Sequence, residues 1–170
     1  MINLRPYQKN IVAALRGAIM DGKRRLVMSA PTGSGKTVMF TYMVQQHLAR
    51  GGKALIFTHR RELLSQAGGT FAKFGLKPEL IQAGKKADLS KSLHVGMIET
   101  VYRRTKSKAM QDFLASRTLV IFDEAHLSVH DKMFDYLGRD AIVIGATATP
   151  YRKGKGVPSL SDFYQDLIQT

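Results

Sequence analysis

The sequence predicts an α/β fold with a mainly parallel central sheet and helices on both faces. Two short runs, residues 54–58 and 118–122, are apolar almost throughout, which is typical of parallel strands that are buried on both sides. Longer segments with helical spacing of apolar residues alternate with such runs, as at Ile11, Val12, Leu15 and Ile19. Because strands that alternate with helices form right-handed crossovers, this order favours one parallel sheet. A chain of 170 residues is long enough to bury its own core as one domain.

The individual elements follow from apolar runs and from the residues that end them. We expect helices between Pro6 and Gly22 and at about 36–50, 60–74, 99–104 and 133–137. We expect strands at 26–28, 54–58, 79–83, 93–98, 118–122 and 141–144. The lysine-rich stretch 84–91 is predicted to be an exposed loop, and residues 161–170 an amphipathic tail with little to pack against. In such a sheet ligands bind beyond the carboxyl ends of the strands, where the motifs below fall.

The composition indicates what kind of partner the protein binds and excludes some classes of protein. The formal net charge of +13 favours a polyanionic partner, most simply nucleic acid; the alternative is a basic surface that only keeps the chain soluble. The sequence has no cysteine, which excludes disulfides and cysteine zinc sites. It has no apolar run long enough to span a bilayer, so we expect a cytoplasmic protein without membrane partners.

The stretch Ala30–Thr37 has the composition of a phosphate-binding loop between a strand and a helix. Gly33 and Gly35 allow the backbone to curl so that successive N–H groups face phosphate oxygens, and the following helix adds its dipole. Lys36 would reach the β and γ phosphates of a nucleoside triphosphate, and the Thr37 hydroxyl would bind Mg²⁺. The alternative is a glycine-rich turn that matches the pattern by chance.

Two adjacent carboxylates, Asp123 and Glu124, end the most apolar predicted strand. Like charges in an apolar setting require a cation, and Mg²⁺ with a triphosphate would supply it. Asp123 would then bind the metal, and Glu124 would orient and deprotonate the attacking water. A helix N-cap is the alternative for this pair. His126 is either a packed residue or a link between the nucleotide and the next motif.

These motifs together resemble the first RecA-like domain of a superfamily 2 helicase of the DEAH or DExH type. The correspondence covers nearly the whole chain: motif I is Ala30–Thr37, motif Ia is 58–63, motif Ib or Ic is 96–100, motif II is Asp123–His126 and motif III is 146–150. The chain lacks the forms of motifs Ia, Ib and III that are expected of DEAD-box RNA helicases. It is more similar to DNA-directed members, which include RadD-like and XPB-like proteins, phage helicases and restriction-enzyme motor subunits. DNA is therefore preferred over RNA.

The resemblance implies roles for particular residues. For ATP it implies contacts from Arg5, Gln8, Pro31, Thr32, Gly33, Ser34, Gly35, Lys36 and Thr37, with Gln8 reading the adenine edge. For the nucleic-acid backbone it implies contacts from Thr58, Arg60, Arg61, Thr100, Arg103, Arg104 and Arg152, although each arginine alone could be an ordinary surface charge. Thr147 and Thr149 would relay the state of the γ phosphate to the nucleic acid.

The sequence leaves three functional hypotheses open. The first is an ATP-binding helicase domain that comprises residues 1–170, the second a motor that moves on duplex DNA without unwinding it, and the third a nucleic-acid-binding module without turnover. A second RecA-like domain, which in the family supplies catalytic arginines, is expected in a longer protein. We therefore expect the isolated domain to be monomeric and to hydrolyse ATP weakly or not at all.

Overall fold

A computed structural model describes the backbone of residues 1–169, with all side chains in that range except those of Glu62, Leu63 and Ala67. Within residues 1–169 seven strands form one sheet, in which all the paired strands are parallel. The strands are β1 Arg25–Ser29, β2 Ala54–Thr58, β3 Glu79–Ile81, β4 Leu93–Met97, β5 Leu119–Asp123, β6 Ile142–Thr147 and β7 Asp166–Gln169. Their order across the sheet is β3-β4-β2-β5-β6-β1-β7. The predicted α/β fold with a parallel sheet is confirmed.

Helices cover the two faces of the sheet. They are α1 Pro6–Met20, α2 Lys36–Ala49, α3 Arg61–Lys73, α4 Ile98–Arg104 and α5 Lys108–Ser116, with 3₁₀ segments at Ser128–Tyr136 and Leu160–Asp162. Pro6 occupies the first turn of α1, where its missing N–H has no helical partner to lose.

The apolar strands divide their side chains between two cores because successive residues point to opposite faces. Leu26 and Met28 of β1 pack in the core beneath α1, α2 and α3. Val27, between them, packs in the core beneath α4, α5 and the 3₁₀ segment Ser128–Tyr136. Continuous apolar runs are therefore required in the central strands.

Three elements differ from the sequence expectations. Helix α5 was not predicted, and the short helix expected at 133–137 is the longer 3₁₀ segment Ser128–Tyr136. The expected tail instead contains β7, which pairs in parallel with β1 and aligns Leu167 with Val27. Gln165 strengthens this junction, since its Oε1 accepts hydrogen bonds from the N–H groups of Arg24 and Arg25 at 2.7 and 3.0 Å. Thr170, the last residue of the expected tail, lies outside the described residues.

No helix within residues 1–169 is both long and apolar enough to cross a membrane.

Candidate nucleotide site

The predicted phosphate loop connects β1 to α2 at the carboxyl edge of the sheet. Gly33 and Gly35 have φ values of 80° and 79°, a backbone conformation that side chains disfavour. Gly35 is also the N-cap of α2, and a Cβ atom there would lie 2.5 Å from Gln8 Nε2. The first N–H groups of α2 have no intrahelical acceptors, so they are available to an anion at this turn.

Helix α1 contacts the phosphate loop through two side chains of its first turn. Gln8 is buried, its Oε1 accepts a hydrogen bond from the Arg5 N–H at 2.9 Å, and its Nε2 donates to the Ser34 carbonyl at 2.9 Å. The Tyr7 hydroxyl donates to the same carbonyl. Two donors on one carbonyl oxygen tie the phosphate loop to the start of α1. Tyr7 was not predicted as a site residue, and only its position beside Gln8 could have suggested it.

The Asp123–Glu124 pair lies where β5 ends, in the strand two places from β1 in the sheet. Burial raises the pKa of the Asp123 carboxyl and the charge of Glu124 raises it further, while Lys36 acts in the opposite direction. Lys36, from the phosphate loop, is therefore close enough to act on a carboxylate of the second motif. Glu124 has a φ of 57°, and among residues 1–169 it is the only non-glycine with positive φ.

The donor set of this cleft suits a magnesium ion. Thr37 and Asp123 line the same small cavity, of about 100 Å³. A hydroxyl and a carboxylate are the oxygen ligands that Mg²⁺ takes beside nucleotide phosphates. Because Asp123 is partly desolvated and lies next to a second carboxylate, a cation there would offset both unfavourable effects. No group of three or more His, Asp or Glu residues within the described chain could hold a metal by itself.

His126 joins the second and third motifs. Its Nδ1 lies 2.8 Å from Thr147 Oγ1 and 3.4 Å from Glu124 Oε2. The Thr147 hydroxyl donates to the Thr149 carbonyl at 2.9 Å, so its single hydrogen is engaged and Nδ1 of His126 is the donor to it. An unbroken chain of contacts thus runs from Glu124 through His126 and Thr147 to Thr149.

A second histidine supports the acidic pair and was not predicted. His130, in the 3₁₀ segment Ser128–Tyr136, is buried and its Nε2 donates to the Asp123 carbonyl oxygen at 2.8 Å. Burial lowers the pKa of His130 to about 4, so the ring is neutral at pH 7. It holds the backbone from which both carboxylates project. No periodicity or motif in the sequence marked this residue.

The predicted nucleic-acid residues fall into two groups. Arg60, Arg61 and Arg103 are exposed and follow β2 and β4 at the carboxyl edge, and Thr100 is half-buried beside them. Arg104 is half-buried instead, and its Nη2 donates to the carbonyls of Gln82 and Lys85 at 3.0 and 2.8 Å. Arg104 therefore fastens the lysine-rich loop at 84–91 to α4.

Two of the predicted contacts are not on the surface. Thr58 is only 3% exposed, because it faces inward at the end of β2 beside the cavity with Asp123. The Arg152 side chain is only 4% exposed and forms a bidentate ion pair with Asp131, with N···O distances of 2.7 and 2.8 Å. In this structure neither side chain is exposed on the surface, and their contact with a nucleic-acid backbone stays a prediction.

A phosphate loop after β1, opposed by two carboxylates at the end of β5 in a parallel sheet, defines a P-loop nucleoside triphosphatase domain. Residues 1–152 match the family described as "Type III restriction enzyme, res subunit". The chain belongs to this family, and it is a helicase-type ATP-binding domain.

Individual relatives agree with this assignment. A Saccharomyces cerevisiae protein named as an ATP-dependent helicase, IRC3, is 37% identical over 138 residues, which are 74% of this chain and 19% of that protein. A Schizosaccharomyces pombe protein named as a mitochondrial ATP-dependent helicase is 29% identical over 168 residues, 92% of this chain and 28% of that protein. The fold is similar to the Hef helicase domain of Pyrococcus furiosus, with a TM-score of 0.77 at 21% identity over 98% of this chain and 38% of that one. The chain thus spans well under half of each of these proteins.

Proposed function

We propose that the chain binds ATP with Mg²⁺ at the carboxyl edge of the sheet, as the ATP-binding domain of a motor that moves along DNA or separates its strands. The observation that carries this proposal is the shared location of the two motifs. Thr37, at the end of the phosphate loop, and Asp123, at the end of β5, line one cavity, and the charge of Lys36 lowers the pKa of the Asp123 carboxyl, which burial raises.

For the nucleotide, the N–H groups of Gly33, Gly35 and the first turn of α2 would hold the phosphates, with Lys36 as their counter-charge. Pro31, Thr32 and Ser34 complete the loop around them. Gln8, which contacts this loop, and the exposed Arg5 border the phosphate site. The proposal that they contact the adenine base rests on the motif resemblance, since both heteroatoms of the Gln8 amide are hydrogen-bonded within the chain.

For hydrolysis, Thr37 and Asp123 would bind the metal, and Glu124 would orient the attacking water and accept its proton. When bound, Mg²⁺ would neutralise phosphate charge as the γ phosphoryl group leaves. The hydrogen bond between His126 and Thr147 supports a coupling role for Thr147 and Thr149, because a shift of Glu124 would be transmitted through His126 to the third motif.

For the polymer, we propose DNA in preference to RNA. The charge of +13 and the exposed Arg60, Arg61 and Arg103 support an electrostatic contact along one strand. The DNA preference rests on the motif forms, which depart from those of DEAD-box RNA helicases, and on the family's description as a restriction-enzyme subunit. That description also favours the second candidate, a motor that moves on duplex DNA without unwinding it.

We also propose that a second RecA-like domain completes the motor. The chain spans only 19% and 28% of the two yeast relatives. Arginines from a second domain typically contribute ~10³ or more to the rate of phosphoryl transfer, so residues 1–170 alone should turn over slowly.

The first experiment measures Mg²⁺-dependent binding of a fluorescent ATP analogue, followed by ATP turnover with and without single-stranded DNA, duplex DNA and RNA. Lys36→Ala should weaken binding about 10- to 100-fold, because a charge-assisted contact to phosphate is lost. Lys53→Ala is the matched control, since Lys53 is exposed at the opposite edge of the sheet and should not affect binding. Equal affinity of the Lys36→Ala variant and the wild-type chain would overturn the proposed site, and brisk DNA-stimulated turnover would refute the need for a second domain.

A further inference from the structure

Residues 151–158, in the segment after β6, form a loop. The buried Arg152 side chain, near the start of this loop, contacts its end. The Arg152 guanidinium donates to both carboxylate oxygens of Asp131 and to the Pro158 carbonyl at 3.0 Å, which joins the two ends of the loop. It also donates to the Ala125 carbonyl at 3.2 Å, within the second motif. The loop is therefore anchored to the catalytic edge although most of its residues are exposed.

The anchored loop, residues 151–158, displays an aromatic ring and two cations. Tyr151 is 74% exposed, and Lys153 and Lys155 are exposed as well. The loop contains no acidic residue. Arg152 compensates the charge of its nearest carboxylate, Asp131, so the outer surface of the loop is positive.

The anchored loop borders the surface that carries the proposed DNA contacts. Asp131, which holds Arg152, is followed by Lys132, whose ammonium lies 5.1 Å from the centre of the Tyr102 ring on α4. Tyr102 is itself 39% exposed and precedes the exposed Arg103. The same 3₁₀ segment thus lies between α4 and the anchored loop, and basic and aromatic side chains continue across it.

We propose that the anchored loop is an additional contact for single-stranded nucleic acid, in which Tyr151 stacks on a base while Lys153 and Lys155 bind phosphates. This inference rests on the proposed function, because it assumes a nucleic-acid ligand. An exposed aromatic ring among cations suits this ligand, since every base has a face for stacking and every nucleotide a negative charge. Arg152 is then a positioning residue, which holds the loop without touching the ligand.

The test compares binding of two fluorescently labelled strands of equal length, an oligothymidine and an abasic strand with the same phosphates, to the chain of residues 1–170. Tyr151→Ala should weaken oligothymidine binding about 5- to 150-fold, the equivalent of ~1–3 kcal/mol for one stacked base, and leave abasic binding unchanged. Tyr151→Phe should bind like the wild-type chain, because the ring is retained.

The lysines are tested through salt dependence. The double variant Lys153→Ala/Lys155→Ala should reduce the slope of log K against log salt by about 1.4 for both strands, since each phosphate contact contributes about 0.7. The control, Lys53→Ala/Lys77→Ala, removes the same charge from exposed positions next to the amino ends of β2 and β3 and should leave the slope unchanged.

The outcomes separate the two proposals. If the wild-type chain binds oligothymidine and Tyr151→Ala binds it equally well, or if Tyr151→Ala weakens both strands alike, the stacking contact is refuted while the proposed function stands. If the two lysine pairs reduce the slope equally, the phosphate contact is refuted in the same way. If the wild-type chain binds neither strand but binds duplex DNA, only this inference fails; if it binds no nucleic acid, the proposed nucleic-acid function fails and this inference fails with it. Unchanged thermal midpoints of all variants establish that folding is intact.

Discussion

At the scale of single residues, Glu124 combines a proposed chemical role with an unfavourable backbone conformation. Its φ of 57° places a side chain where glycine is preferred, directly after the β5 carboxylate that burial already destabilises. Strained conformations of this kind persist where the surroundings enforce them, commonly at functional sites. Here the Asp123 side chain accepts the Glu124 N–H at 3.0 Å, and His130 holds the Asp123 carbonyl.

The strain at Glu124 predicts that the stability of variants at this position depends on whether the new residue tolerates positive φ. Glu124→Gly should be more stable than Glu124→Ala by about 1 kcal/mol, because only glycine adopts positive φ without steric cost. Both variants lose the carboxylate, so both should lose whatever slow ATP turnover the wild-type chain has. Urea unfolding of the two proteins measures the difference, and equal free energies of unfolding would show that position 124 carries no backbone strain.

The buried His94 predicts acid sensitivity that is unrelated to the nucleotide site. His94 is fully buried in β4, where its Nε2 lies 2.8 Å from the Asp88 carbonyl and its Nδ1 lies 3.5 Å from Arg117 Nη1. Burial lowers the pKa of His94 and the Arg117 charge lowers it further, whereas Asp88 and Glu79 oppose this shift. The unfolded chain therefore takes up the proton first, and stability is lost as the pH falls below the ordinary histidine pKa of about 6.5.

For this reason His94→Gln, which keeps a donor for Asp88, should lose less stability than the wild-type chain between pH 7.5 and pH 5. Thermal midpoints at the two pH values measure the loss. The difference at pH 7.5, where the histidine is neutral, gives the packing cost and serves as the control. A wild-type chain and variant with parallel pH profiles would rule out His94 as a source of the sensitivity.

At the scale of elements, the Arg152–Asp131 ion pair connects the anchored loop to the 3₁₀ segment Ser128–Tyr136. Both side chains are largely buried, and the Arg152 guanidinium also lies 5.6 Å from the centre of the Phe163 ring. The anchored loop is thereby held against the 3₁₀ segment. This is the physical reason why Arg152 does not face solvent.

Removing one member of this pair should destabilise the fold strongly. Arg152→Met and Asp131→Asn should each lower the free energy of unfolding by about 3 kcal/mol, because each leaves a partner buried without its counter-charge. The double variant should lose less than the sum of the two, which chemical denaturation of all four proteins can measure. Lys108→Ala is the control, since it removes an exposed pair with Asp112 and should change stability by under ~1 kcal/mol. Strictly additive losses would contradict the coupling.

At the scale of the whole molecule, charge and topology act together. The excess of 26 basic over 13 acidic residues is spread along the chain, but the parallel sheet brings the segments after β2, β4 and β6 to one edge. Binding of a polyanion should therefore depend mainly on where each Lys or Arg side chain lies, and only secondarily on the net charge of the chain.

The triple variant Arg60→Ala/Arg61→Ala/Arg103→Ala tests this dependence. It should reduce the slope of log K against log salt for single-stranded DNA by about 2, because three phosphate contacts are lost. The variant Lys53→Ala/Lys73→Ala/Lys77→Ala has the same net charge but alters exposed residues elsewhere, and its slope should match that of the wild-type chain. Identical slopes for the two triple variants would mean that binding follows net charge alone.

Much of the fold and the core of the candidate site could be predicted from local patterns. The phosphate loop and the Asp123–Glu124 pair each consist of residues that are consecutive in the sequence. Their glycines, lysine and carboxylates can therefore be identified without knowledge of tertiary contacts. Strand β7 could not be predicted in this way. Its four residues form a strand because β1 offers an unpaired edge and Gln165 fastens the junction.

The sequence by itself therefore determined the parallel α/β architecture, the phosphate loop and the acidic pair, because short-range spacing specifies each of them. Only the tertiary structure decided which basic residues face solvent and which hold the fold together. Arg103 and Arg104 are adjacent in sequence, yet one is exposed and the other fastens a loop. Arg152 follows the third motif but meets Asp131, and His130 supports Asp123 from a later segment. Such contacts depend on residues that are brought together by the packing of separate elements, which no local pattern encodes.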